Sequence, residues 1–173
     1  ASRERLVMGL FIAKYLQYRP DYEMLTSLLR YYRFITREFF DEETGEVYNT
    51  IGKDPTTKRL YNAPWMALMT LEMYKLTGDE TYLDKMARLL KVYYTIGGEK
   101  FYPNGLSMFE TVDALRSAGK TEIAEEITEL FRKHVTNIKN FGINYPEHEV
   151  RYEQTIVSPA AALNVEMYMI TGE

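Results

Sequence analysis

Leu71-Glu72-Met73-Tyr74-Lys75-Leu76-Thr77-Gly78-Asp79 returns 94 residues later as Val165-Glu166-Met167-Tyr168-Met169-Ile170-Thr171-Gly172-Glu173. In both copies an apolar helical run stops at Thr-Gly with an acid behind it. That is the pattern of a helix closing on a left-handed glycine, followed by a capping residue for the next helix. The offset corresponds to two helix hairpins of about 47 residues each, within the range of helical repeats. It differs from the tetratricopeptide unit of about 34 residues, whose tryptophan–glycine–tyrosine pattern is also missing.

Outward from these copies, apolar residues fall on nearly every side of segments 3–18, 63–77, 107–118 and 157–171. Helices of that kind are buried. Between them run segments with a single stripe at i, i+3, i+4, i+7 spacing, which read as surface helices. One carries Leu25, Leu28, Leu29, Tyr32, Ile35 and Phe39; the next Leu83, Met86, Leu90 and Tyr93; the third Ile123, Ile127, Leu130, Phe131 and Ile138. Links from buried to surface helices are tight: Arg19-Pro20, Thr77-Gly78-Asp79 and Ala118-Gly119-Lys120, with Asp21, Asp79 and Thr121 as candidate N-caps. Links from surface to buried helices are long, roughly 41–62, 96–106 and 139–156. Long loops in a compact domain are usually functional. Each leads into a buried helix, so all are expected on one face, above the inner helices' N-termini.

The fold expected is all-α: one domain over 1–173, built of inner and outer helix hairpins, an array that can close into a ring as an (α/α) toroid or run on as an open solenoid.

Composition narrows the function. The chain has 173 residues, a net charge of −4 with acids and bases interleaved, and no cysteine. Disulfides and cysteine metal sites are excluded, while the compartment stays open between cytoplasmic and secreted or periplasmic. No basic stripe interleaved with aromatics argues for nucleic acid. Leu6 to Ile12 is too short to span a bilayer, so no membrane partner is expected. No His-x-x-x-His or comparable metal spacing, phosphate-cradling glycine loop or serine nucleophile elbow occurs, so neither metal nor cofactor is expected. Fifteen tyrosines and eight phenylalanines exceed ordinary core filling. Tyrosine joins a flat apolar face to a hydroxyl, which suits sugars as well as helix packing.

Tyr61-Asn62-Ala63-Pro64-Trp65, continuing through Tyr74-Lys75-Leu76-Thr77-Gly78-Asp79-Glu80-Thr81-Tyr82-Leu83, resembles an inner–outer hairpin of the six-hairpin glycosidase superfamily. Asp41-Glu42-Glu43-Thr44-Gly45-Glu46-Val47-Tyr48 resembles the hairpin loop over the catalytic face in that group. The resemblance implies an incomplete part of an (α/α)6 barrel, about three and a half hairpins, with the rest supplied by the same longer chain or by another. It also implies a carbohydrate substrate, but the superfamily includes glycoside hydrolases, polysaccharide lyases and sugar epimerases, so it does not settle the reaction.

For hydrolysis two carboxylates are needed. Glu153 and Glu110 are the leading pair, with Glu149 in reserve. Ser107-Met108-Phe109-Glu110 also reads as a capping box, and Glu153 as a helix cap. Asp113 is a third acid, whose burial would require a partner. Tyr152, Trp65, Tyr61, Asn62, His148 and Tyr102 are the candidate sugar contacts, Asn62 doubling as an N-cap. Tyr48, Asn49 and Asn104 are rim candidates. A lyase or epimerase would instead use His148 and Tyr152 for proton transfer. His134 reads as solvated on a surface helix. The remaining alternative is a non-catalytic helical scaffold.

Overall fold

The computed structural model describes residues 2–101, 105–142, 144 and 154–173, with side chains from 157 onward in the last segment. Its helices are α1 (Ser2–Tyr18), α2 (Tyr22–Glu38), α3 (Asn62–Thr77), α4 (Thr81–Thr95), α5 (Met108–Ser117), α6 (Thr121–Phe141) and α7 (Gln154–Thr171). Extended pairing among the described residues is a single antiparallel bridge, Phe40 with Val47. The chain is all-α. Its contacts divide it into two compact units, Ala1–Val92 and Tyr93–Glu173.

In the first unit α1 and α3 run parallel. Arg3 lies over Tyr61 and Trp65, Gly9 faces Met69, and Gln17 reaches Glu72, so the contacts advance together along both helices. Helix α2 returns alongside α1, with the Tyr31 hydroxyl donating to the Arg5 carbonyl. Asp21 starts α2 as expected, accepting from the Met24 N–H at 2.8 Å. Gly78, at φ 71°, ends α3 in the left-handed region that the Thr-Gly pattern predicts. Leu6, Leu16, Leu28, Ile35, Met66, Met69, Leu71 and Met73 are fully buried, each contributing roughly 1.5–3 kcal/mol. The apolar-all-round reading is met most fully by α3, where Asn62–Pro64, Met66, Ala67 and Met69–Met73 are all buried. Helix α1 instead buries one face and exposes Met8, Phe11, Tyr15 and Tyr18 at three- and four-residue spacing.

Glu72 is the cost of burying α3. It is 2% exposed in an apolar helix, and its carboxylate accepts from Gln17 Nε2 at 2.8 Å and from Lys75 Nζ at 3.1 Å, with Lys14 Nζ at 3.6 Å. Buried charge of this kind survives only when paired.

The second unit repeats the parallel arrangement. Glu166 of α7 reaches the first turn of α5, while Arg116 near the end of α5 shares a groove with Ile170 and Thr171. Met108, Val112, Leu115, Ile127, Phe131, Leu163 and Met167 are buried in this unit, where α5, α6 and α7 touch one another. Helix α7 leaves Val157, Val165, Tyr168 and Met169 exposed. Thr121 is the first residue of α6 rather than its cap; Lys120 holds the cap position without a side-chain bond.

His134 corrects the sequence reading outright. It is fully buried, with Nε2 2.8 Å from the Phe101 carbonyl and Nδ1 3.1 Å from the Tyr94 hydroxyl. One turn on, Asn137 donates to the Glu99 carbonyl at 2.9 Å. Two side chains of α6 therefore fasten segment 97–101 by its backbone. Gly98 is required there: a Cβ would run into the Tyr93 ring. Burial pushes the His134 pKa down to about 4, against the opposing backbone bond and nearby Glu99.

Two stability effects follow. Glu72→Ala is expected to cost about 2–4 kcal/mol by chemical denaturation, and Glu72→Leu clearly less, because both remove the buried charge but only alanine leaves a cavity. His134, neutral when folded, takes up a proton more readily when unfolded. Stability should therefore fall as pH drops from about 6.5 toward 4, by up to roughly 3 kcal/mol. His134→Gln should flatten that segment of the profile, read as the wild-type minus variant difference in denaturation midpoint.

Candidate functional site

The connection from α2 to α3 is an ordered structure rather than a slack loop. Asp41 Oδ1 accepts from the Glu43 and Thr44 N–H groups at 3.0 Å each, closing the turn at Gly45, and these backbone bonds hold its carboxyl below the usual range. Glu42 is engaged by Lys85 at 2.7 Å and the Tyr32 hydroxyl at 3.2 Å, while Arg88 donates to its carbonyl. Glu46 accepts from Lys58 and from the Tyr48 hydroxyl, so its carboxyl is held low. The acids of 41–46 thus build the loop. Tyr48 is buried, its hydroxyl 2.6 Å from Glu46 and its pKa raised to about 12. It is part of the loop's packing, not a rim contact.

This loop delivers the chain into α3, where Tyr61, Asn62 and Trp65 stand in and just before the first turn. Asn62 is not a cap. It lies inside the helix, 1% exposed, and its Nδ2 donates to Asn49 Oδ1 at 3.1 Å. The helix start is satisfied differently: the Asn62 and Ala63 N–H groups bond to the Arg59 and Leu60 carbonyls, and Pro64 has no N–H to satisfy. Asn62 Oδ1 and Trp65 Nε1 are buried without a hydrogen-bond partner among the described residues, as is Ser2 Oγ at the adjacent start of α1. Buried polar atoms in that state are rare.

Cations stand over the rings at this end. The Arg3 guanidinium is 5.2 Å from the Tyr61 ring centre and 5.4 Å from that of Trp65, and Arg59 is 5.6 Å from Tyr61. The structure brings together Trp65, Tyr61 and Asn62 as the sequence suggests. It adds Arg3, which sequence reading missed: Ser-Arg-Glu-Arg opening an apolar helix looks like solvated charge, and nothing local announces a ring 58 positions away. A groove of about 550 Å³ lined by Leu16, Gln17, Pro20, Asp21, Tyr22 and Lys75 opens at the other end of these helices, where Asp21 is already committed to its cap.

In the second unit Glu110 is exposed in the first turn of α5, and Asp113 is exposed too, so the latter needs no buried partner. Ser107 makes no side-chain cap bond. The α5 terminus is capped from outside its own segment: Glu166 accepts from the Phe109 N–H at 2.9 Å. Burial raises the Glu166 pKa, against the lowering by the Phe109 and Met108 N–H groups. Glu149, Glu153, Tyr152, His148, Tyr102 and Asn104 lie outside the described residues. Within them, no cluster of three His, Asp or Glu suits a metal, and no helix is long and apolar enough to cross a membrane.

No protein-family model matches the chain, and no curated protein matches it. A solved structure described as "Polysaccharide Lyase BACCELL_00875" superposes on it with a TM-score of 0.91 at 33% sequence identity, covering 98% of this chain. The match takes in 25% of that protein, so the chain spans about a quarter of its length. The all-α helix-hairpin fold of the toroid class is therefore shared with that portion of the lyase.

Proposed function

We propose that the chain is part of a carbohydrate-active enzyme that cleaves an acidic polysaccharide by β-elimination. The observation carrying this reading is the 33% identity and 0.91 TM-score over 98% of the chain to a protein described as a polysaccharide lyase. In such a reaction a base removes the proton on the carbon next to the sugar's carboxylate. The electron pair forms a carbon–carbon double bond, the glycosidic C–O bond at the neighbouring carbon breaks, and the departing oxygen takes a proton. The protein must neutralise the carboxylate and place a proton acceptor and a proton donor. His148 and Tyr152 have the chemistry for the proton transfers, and we assign those roles to them.

Hydrolysis through Glu110 with Glu153 or Glu149 has less support. General-acid catalysis calls for a carboxyl of raised pKa. The carboxyl of Glu166, raised by burial, is committed to the start of α5, while Glu110 is solvent-exposed.

The intact protein given uronic-acid polysaccharides should release ultraviolet-absorbing unsaturated ends. His148→Ala and Tyr152→Phe should each lower kcat by about 10²–10⁴-fold, and Glu110→Gln should stay within a few-fold of wild type. Reducing ends without absorbance, together with a large loss in Glu110→Gln, would replace elimination with hydrolysis.

A further inference from the structure

We infer that Arg3, Tyr61 and Trp65 form a subsite for an acidic sugar unit, with Arg3 as the residue that selects for the carboxylate. This rests on the reading of the ligand as a polysaccharide, and adds which residue discriminates and how.

Three observations meet at one end of the α1–α3 pair. The first is a cation laid on rings, with the exposed Glu4 carboxylate as its charge neighbour. Arg3 is half-buried and forms no ion pair with a carboxylate among the described residues; its guanidinium lies on two aromatic faces. A guanidinium over a ring gains less than a bidentate, partly desolvated pairing with a carboxylate supplies. The second is charge: Arg59 also stands over the Tyr61 ring, and the start of α3 adds the positive end of a helix. An anion is favoured here and a second cation is not. The third is unmet polarity beneath the rings. Trp65 Nε1 is a donor and Asn62 Oδ1 an acceptor, both buried without partners among the described residues. A sugar hydroxyl both donates and accepts, so neighbouring hydroxyls match the two atoms.

Binding then takes the form of an exchange. Arg3 leaves the rings for the sugar's carboxylate, and the uncovered indole or phenol face takes the apolar face of the sugar ring. In the unliganded protein Arg3 covers the platform and keeps it from packing nonspecifically. A neutral sugar must displace Arg3 without giving it a partner, and so binds more weakly than an acidic one.

Trp65 is the single tryptophan of these 173 residues, and the difference from a Trp65→Phe variant isolates its share of the intact protein's emission. The test titrates the intact protein with a uronate-containing oligosaccharide and with the same oligosaccharide after its carboxyls are reduced to alcohols. Wild type should shift the Trp65 emission and bind the acidic form roughly tenfold or more tighter, the span of one charged hydrogen-bonded contact. Arg3→Gln should bring that ratio close to one, mainly by losing affinity for the acidic form, and Arg3→Lys should fall between because it keeps charge without the planar fork. Helical circular dichroism of each variant should match wild type. Acidic preference persisting in Arg3→Gln, or binding without any change in Trp65 emission, overturns the subsite while leaving the polysaccharide reading in place. Absence of binding and of turnover on every acidic glycan overturns both.

Discussion

A helix buried around nearly its whole circumference has no solvated side on which to put polar groups, and α3 is such a helix. Each polar atom it buries must therefore be met within the helix, as Thr70 is by the Met66 and Ala67 carbonyls, or by another element. Toward its C-terminal half this is done completely: Glu72 is met by Gln17, Lys14 and Lys75, which also fixes the offset of α1 against α3. At its N-terminal end the accounting is open. Asn62 spends its amide on Asn49 and leaves Oδ1 over, and Trp65 leaves Nε1 over. The polarity that burying α3 leaves unmet among the described residues thus lies at the end where the ordered 39–61 connection, the aromatic rings and Arg3 gather.

The two repeat copies answer one position in different ways. Glu72 and Glu166 are equivalent in the repeat, and each ties its inner helix to a parallel neighbour. Glu72 does so through side chains of α1, Glu166 through the backbone at the start of α5. A carboxylate on an inner helix is here a fastening, which is why neither needs a catalytic role to account for its place in an apolar run.

How much could be read from the sequence follows from the range of each interaction. The hairpin alternation was legible because it rests on local periodicity and on turns such as Gly78, and the surface stripes Leu28–Tyr32–Ile35 and Leu83–Met86–Leu90 are buried as spaced. So was the clustering of Tyr61, Asn62 and Trp65, which are neighbours on one turn. Capping was read less well: Asp21 caps, but Ser107 and Thr121 do not, because a distant carboxylate or a preceding turn can satisfy the same N–H groups. His134 was misread since a polar residue within an amphipathic helix defaults to the solvent side. Its partners, Tyr94 and the Phe101 carbonyl, are 40 and 33 residues away. Arg3 escaped for the same reason.

The contrast between the starts of α5 and α3 carries the functional argument furthest. Both lie where a helix presents its positive end. At α5 the protein supplies its own anion: Glu166, from the same unit, takes the Phe109 N–H and closes the position to any other carboxylate. At α3 the N–H groups are met by the 59–61 turn and by the absence of one at Pro64, so no carboxylate is drawn in. Arginines occupy the ring faces instead. One end has been neutralised internally. The other sets guanidinium groups against flat apolar surface, and that pairing is what an acidic sugar, with one charged substituent on an otherwise stackable ring, is shaped to meet.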